Sequence, residues 1–272
     1  MIMKQKVQNQ LSLREYVDNL QARGHYSFVR MEAQKALKAT DTAFKFAANR
    51  LSKKGRIASP RRGFYVIVPA EYQMTGAPPA TWFIDELMKF HELPYYVSLL
   101  SAAALHGSAH QQPQEFQVIS SSPLRSIQIG RERIKFFTKK HIAHTPTEKK
   151  KGATGFFLVS TPEATAFDLI RYSKFAGHLS NVATVLNELK EQMSPVRLVE
   201  TAKIEGELAC SQRLGYLLDY LKEKRLSGPL YKWVKSHDLL PVPLIPTRKL
   251  TGKHPSDPKW SIIINEEIEV DQ

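Results

Sequence analysis

The chain has 272 residues and a single cysteine, Cys210, and this scarcity sets its first limits. One cysteine cannot form an internal disulfide, and no cysteine pair is available for a structural zinc site. Apolar runs are also short, since none approaches the ~18–20 residues that a membrane-spanning helix requires. The first residues, MIMKQKVQNQ, lack the apolar stretch of a secretory signal. We therefore expect a cytoplasmic protein without a membrane partner.

The sequence also lacks the short motifs of several large enzyme classes. It contains no Walker A loop, no GxGxxG and no GxSxG, which are the signatures of P-loop NTPases, dinucleotide-binding enzymes and α/β-hydrolases. Cys210 lies in an amphipathic helical pattern, where a cysteine is typically packed rather than nucleophilic. We expect neither a cofactor nor an enzymatic site.

Positive charge is abundant and unevenly distributed. The formal net charge is +13, and residues 1–70 hold 14 Lys and Arg against 4 Asp and Glu. The remaining residues hold 25 basic and 22 acidic side chains, which is close to balance. A basic excess concentrated in one segment is typical of a protein that binds a polyanion such as DNA.

The basic segment shows the periodicity of three helices. Apolar residues at helical spacing predict a first helix over 13–21, with Ser12 as its N-cap and Glu15 completing a capping box. A second helix is predicted over 29–39. A third begins at Thr40 or Asp41 and ends at Gly55.

The third helix has an apolar side and a polar side. Its apolar side, formed by Phe44, Ala47, Ala48 and Leu51, is predicted to face a core. A strand, a turn at 59–63 and a second strand through Val68 follow. Three helices and a basic hairpin predict a winged helix-turn-helix whose third helix enters the major groove. The predicted DNA-binding residues are Thr42, Lys45, Phe46, Asn49, Arg50, Lys53, Arg56, Arg61 and Arg62.

The rest of the chain mixes strand and helix patterns. Alternating or short apolar segments such as EFQVISS, RSIQIGRERIKFFTK and GFFLVS predict strands, and Thr161 followed by Pro162 predicts the start of a helix. The segment YYVSLLSAAALHG is predicted to be one buried helix. The fold class is α+β, with a winged helix-turn-helix at 1–70, a linker at 71–81 and a larger mixed α/β domain at 82–272.

Two constellations leave an enzymatic alternative open. His106 and His110 stand four residues apart, a spacing that can hold a metal, although Gly107 between them favours a packed histidine at a helix end. Glu163 and Asp168 could serve a metal-dependent nucleic-acid-processing enzyme, but five residues place them ~140° apart on a helix. A protein-interaction module with an incidental basic face is a third hypothesis.

The chain resembles the AbiEi-type antitoxins, which are transcriptional regulators of bacterial abortive-infection operons. The resemblance rests on LSKKGRIASPRRGFYVIVPAEY, YYVSLLSAAALHGSAHQQPQEFQVI, STPEATAFDLIRY, QRLGYLLDYL and the closing residues Trp260 and Asn265. It implies an N-terminal winged helix that binds repeats in the protein's own promoter. It also implies a functional partner, a nucleotidyltransferase-type toxin, that need not be contacted directly.

Overall fold

The computed structural model describes residues 11–108 and 113–269, with helices and strands throughout this part of the chain. The α-helices are α1 (Leu13–Ala22), α2 (Arg30–Leu37), α3 (Asp41–Lys53), α4 (Ile84–Phe90), α5 (Leu99–Leu105), α6 (Pro162–Arg171), α7 (His178–Leu189), α8 (Pro195–Glu205), α9 (Leu208–Tyr220) and α10 (Lys224–Val234). The strands are β1 (Ser27–Val29), β2 (Ile57–Arg61), β3 (Phe64–Ile67), β4 (Tyr95–Val97), β5 (Phe116–Ser120), β6 (Ile127–Ile129), β7 (Glu132–Thr138), β8 (Thr147–Lys151), β9 (Phe156–Ser160), β10 (Val242–Pro243), β11 (Ser256–Asp257) and β12 (Ile262–Ile263). The predicted α+β class is confirmed.

Contacts divide the chain into two compact units. The first comprises the residues up to Leu93 with Arg125–Lys135 and Lys151–Phe157. The second comprises the remaining segments, Pro94–Leu124, Phe136–Lys150 and the chain from Leu158 onward.

The first unit begins with three helices whose ends are set by local sequence. Ser12 caps α1 and forms the predicted capping box with Glu15. Thr40 caps α3, its hydroxyl accepting a hydrogen bond from the amide of Ala43 at 3.3 Å. A side-chain acceptor at the N-cap satisfies an amide that the helix itself leaves unpaired. The three predicted helices are therefore confirmed, with α2 shorter than expected.

A small antiparallel sheet completes the N-terminal part of this unit. Its order is β1-β3-β2, with β1 placed between α1 and α2 in the chain. The sheet and helices share an apolar core that includes Phe28, Phe44 and Leu51. The turn between β2 and β3 is tighter than predicted, because β2 continues through Arg61. Only Arg62 and Gly63 remain outside the strands, and Gly63 has a φ of 93° that suits a glycine.

The segment predicted as a linker, 71–81, is held within the first unit. Short 3₁₀ turns occupy Ala70–Tyr72 and Ala80–Trp82. Gly76 lies against Gly130, and a Cβ on Gly130 would come within 2.1 Å of the Thr75 carbonyl oxygen. The predicted domain boundaries at residues 70 and 82 stay predictions.

A six-stranded sheet has the order β6-β7-β5-β4-β9-β8. The strands predicted from alternating or apolar segments are confirmed as β5, the β6–β7 hairpin and β9. The prediction of a single helix over YYVSLLSAAALHG is wrong at its start, where Tyr95–Val97 forms β4. Two aromatic residues and a valine suit a strand, and β4 is paired on both sides, antiparallel to β5 and parallel to β9.

Helices α6 to α10 build the core of the second unit. As predicted, Thr161 caps α6 and Pro162 opens it. The sequence did not indicate α10, because Gly228 and Pro229 interrupt its pattern. Its apolar side chains Leu226 and Leu230 are nevertheless fully buried in the common core.

One face of α9 holds the C-terminal segment in place. Gln212 donates hydrogen bonds to the carbonyls of Leu240 and Trp260, and the indole of Trp260 donates to Asp219 at 2.6 Å. Gly215, between Gln212 and Asp219 on the same helix, leaves room for the Trp260 ring. The side chain of Asn265 then bonds both the amide and the carbonyl of Ile245, each at 2.9 Å. The QRLGYLLDYL segment therefore holds Trp260 directly, while Asn265 anchors the chain that follows to Ile245.

No helix between residues 11 and 108 or between 113 and 269 has the length and apolarity to cross a bilayer.

Candidate nucleic-acid interface

The polar side of α3 is an uninterrupted exposed surface. Phe44, Ala48 and Leu51 point into the core as predicted, while Ala47 is half-buried against it. The opposite side of the helix, which we call the α3 face, carries exposed residues only: Thr42, Lys45, Phe46, Asn49, Arg50 and Lys53.

Charges on the α3 face differ in how far they are neutralised. Lys45 forms an ion pair with Asp41 at 2.8 Å, and Asp41 also contacts Arg30. Among the described residues no carboxylate pairs with Arg50 or Lys53, and the Arg50 Nε instead approaches the Phe46 carbonyl oxygen at 3.4 Å. The charge available to an anionic ligand therefore lies toward the C-terminal half of α3.

Arg56, predicted to contact DNA from the hairpin, is engaged within the unit. Its guanidinium donates to Asp18 of α1 at 2.6 Å, and its side chain is half-buried. This pair joins residues that lie 38 positions apart, so sequence spacing gave no indication of it. By contrast, the Asp41–Lys45 pair has the i, i+4 spacing of a helical ion pair and could have been found.

Arg61 and Arg62 occupy different environments although they are adjacent. The Arg61 guanidinium donates to the backbone carbonyl of Arg125, which precedes β6 in the same unit. Partial burial, with a smaller contribution from the Arg125 charge, lowers the pKa of Arg61. Arg62 is exposed at the turn. The sequence does not predict that Arg125 is the partner of Arg61, because the alternating pattern of a strand does not indicate which other strand lies beside it.

Glu163 and Asp168, the acidic residues considered for a metal-dependent enzyme, have separate sets of partners and do not point to a common site. Glu163 accepts hydrogen bonds from the Ser194 amide at 2.8 Å and from Arg197 at 3.1 Å, and thereby ties α6 to the start of α8. Asp168 accepts instead from a separate set of donors in the core: Tyr96 and Ser98 at 2.9 Å, Arg171 at 2.8 Å and Lys139 at 3.4 Å.

Asp168 belongs to a buried charge network beside a cavity of about 270 Å³. Glu205 lines the cavity and bonds both Lys139 and Arg171 at 2.6 Å. Burial raises the pKa of Asp168, while the charges of Lys139 and Arg171 oppose that shift. Because the cations and carboxylates of this network satisfy one another, it joins Lys139, which directly follows β7, to α6 and α8.

His106 is packed at the end of α5. Its Nε2 lies 2.8 Å from the Ser160 carbonyl oxygen, which fixes that nitrogen as the protonated one, and burial lowers the pKa of the ring. His110, its predicted companion, lies outside the described residues. Cys210 is buried in the core with its thiol 3.6 Å from the Phe167 carbonyl oxygen, and burial raises its pKa to about 12.

Within the two described ranges, no three His, Cys, Asp or Glu side chains come together in a way that could hold a metal ion.

Comparison with known protein families finds a match for one segment of the chain. Residues 96–220 match the model of the AbiEi antitoxin C-terminal domain family, which confirms the resemblance found in the sequence. No curated protein matches the chain. A similar fold occurs in the crystal structure of the RV2827C protein from Mycobacterium tuberculosis, with a TM-score of 0.65 and 15% sequence identity over 91% of this chain and 89% of that one.

Proposed function

Because residues 96–220 match the AbiEi antitoxin C-terminal domain family, we propose that the chain is an antitoxin that also binds DNA and represses its own operon. The family match supports the antitoxin role. The DNA-binding role rests on the first unit, which lies largely outside the matched segment.

The observation that carries DNA binding is the α3 face. The element order α1-β1-α2-α3-β2-β3, with β1 and β2 at the two edges of a three-stranded sheet, matches the order expected of a winged helix-turn-helix and supports that proposal. In such modules the third helix enters the major groove, and the hairpin contacts the backbone beside it. A helix buried on one side and exposed with amide, hydroxyl and basic groups on the other meets the requirement for groove entry.

The chemistry and the partners of each side chain indicate whether it would contact bases, contact phosphates or support the interface. Asn49 and Arg50 carry the donors and acceptors that match adenine and guanine edges in the major groove. Lys53 and Arg62, both exposed, are suited to phosphates. Thr42 and Phe46 add apolar contact area. Lys45, Arg56 and Arg61 have partners within the protein, so we assign them a supporting role at the edge of the interface.

The antitoxin role is proposed toward a nucleotidyltransferase-type toxin. This assignment comes from the family resemblance, in which regulation of the operon and neutralisation need no stable complex between the two proteins. The DNA that the protein would bind is a set of repeats in its own promoter. We propose no catalytic residues.

A footprint on the DNA upstream of the protein's own gene, at two salt concentrations, tests the proposal. We expect protection of discrete repeats that persists at the higher salt, because base contacts are less salt-sensitive than phosphate contacts. Diffuse protection that disappears at the higher salt would contradict an operator-reading repressor. Growth rescue on co-expression with the neighbouring gene tests the antitoxin role separately.

Replacing Arg62 by Ala is expected to weaken binding to every duplex. If Arg62 neutralises one phosphate, the slope of log K against log salt should fall by about 0.9. The thermal stability of the first unit should not change, because the side chain is exposed.

The matched comparison is Arg56→Ala. Removing that side chain breaks the pair with Asp18, so we expect lower thermal stability with a smaller change in the salt slope. A large change in the salt slope for Arg56→Ala and none for Arg62→Ala would contradict the assignment of Arg62 to phosphate contact and of Arg56 to the pair with Asp18. Titrations by fluorescence anisotropy and a melting curve for each variant measure both quantities.

A further inference from the structure

The α3 face has an aromatic ring at its centre. The Phe46 side chain is 65% exposed, whereas Phe44, two residues earlier, is 1% exposed and part of the core. An exposed phenyl ring forgoes the free energy that burial from water would give it. The ring is therefore a candidate for contact with a ligand that offers an apolar group at this place.

The neighbours of Phe46 specify what surrounds that apolar group. Thr42, Asn49 and Arg50 stand at i−4, i+3 and i+4, so their side chains lie on the same side of α3 as the ring. The ring is thus set among an amide, a hydroxyl and a guanidinium. A ligand that fits this surface carries an apolar group next to hydrogen-bond donors and acceptors.

The major-groove edge of an A·T pair has this chemistry. Thymine presents its C5 methyl group, the apolar group of that groove, and adenine presents the N7 acceptor and N6 donor that an asparagine can bond in pairs. We propose that Phe46 packs against a thymine methyl while Asn49 reads an adjacent adenine, so that the chain selects sites with A·T pairs at these positions. The inference rests on the proposed DNA-binding function and adds the identity of the bases.

Charge decides between DNA and a second copy of this chain as the occupant. Arg50 and Lys53 flank the ring without a carboxylate partner among the described residues. Two copies meeting through this surface would bring these cations together, which disfavours self-association. A polyanion brings the opposite charge.

The test compares duplexes that differ only in the thymine methyl groups. A duplex selected by the full-length chain from a random library is synthesised once with thymine and once with deoxyuridine, which pairs identically but lacks the methyl group. We expect the chain to bind the thymine duplex about fourfold more tightly for each methyl group in contact. Phe46→Ala should bind both duplexes equally, and Phe46→Leu should retain part of the preference.

Met31→Ala provides the matched control, because Met31 is 78% exposed in the same unit but lies on α2. This variant should keep the full preference for thymine. A wild-type chain that binds both duplexes equally, or a preference that survives in Phe46→Ala, would overturn the inference and leave DNA binding standing. A chain that selects no duplex over random DNA would overturn both. A change in sedimentation on Phe46→Ala would assign the ring to self-association instead.

Discussion

Replacing Gly215 by Ala is expected to lower the free energy of unfolding of the second unit by about 3 kcal/mol, at the upper end of the usual cost of overpacking. A Cβ at this position would lie 2.2 Å from the Cη2 and Cζ3 atoms of Trp260. The helix cannot yield easily, since its neighbours Gln212 and Asp219 hold the backbone and indole of the same tryptophan. The tryptophan must therefore leave its pocket, and denaturant unfolding measures the cost.

A second substitution distinguishes this steric effect from a general effect on the helix. Trp260→Leu removes the ring atoms that the new methyl group would meet, at its own cost in buried area. In that background, Gly215→Ala should cost much less, because alanine is a better helix former than glycine. Equal costs in the two backgrounds would show that Gly215 does not act through Trp260.

Replacing Asp168 by Asn is expected to cost about 3–5 kcal/mol, because the two buried cations Lys139 and Arg171 are then left with Glu205 as their shared buried carboxylate. Asp168 is fully buried and accepts from Lys139 and Arg171, whose side chains are also nearly buried. Asparagine has the same shape but presents donor hydrogens to groups that are themselves donors. Chemical denaturation of the second unit would report the loss.

Glu207→Gln is the matched control in the same network. Glu207 pairs with Arg171 at 3.3 Å, but its side chain is 56% exposed, so the loss should stay below about 1 kcal/mol. Adding Lys139→Met to Asp168→Asn should recover part of the stability, since one buried charge is then removed with its partner. A similar loss in the free energy of unfolding for Asp168→Asn and Glu207→Gln would contradict the assignment of Asp168 as the buried centre of the charge network.

Most of the correct predictions of helices and strands came from residues that lie close together in the sequence. The Ser12 capping box, the Thr161-Pro162 helix start and the apolar spacing of α3 depend on residues a few positions apart, and each appears in the structure as expected. The alternating segments likewise became strands. Their order in the sheet depends on contacts between distant segments, which the sequence pattern does not contain.

The errors and omissions arose where tertiary context overrides local preference. Tyr95–Val97 adjoins a helical run, so the sequence pattern predicts helix there, but the segment is paired on both sides within the six-stranded sheet. Helix α10 forms despite Pro229 because its apolar face is buried. In the candidate interface, the sequence indicated which residues are basic, but not that Arg56 would be bound by Asp18 or Arg61 by the Arg125 carbonyl.

The central claim, that the α3 face reads DNA, is tested most directly by a specificity ratio. The affinities of the full-length chain for a duplex from upstream of its own gene and for a scrambled duplex are measured at two salt concentrations. The same measurement is made on Asn49→Ala/Arg50→Ala/Lys53→Ala and on Lys89→Ala, an exposed cation of α4. We expect the triple variant to lose the preference for the upstream duplex, and Lys89→Ala to keep it. A triple variant that distinguishes the two duplexes as well as the wild type does would contradict the account.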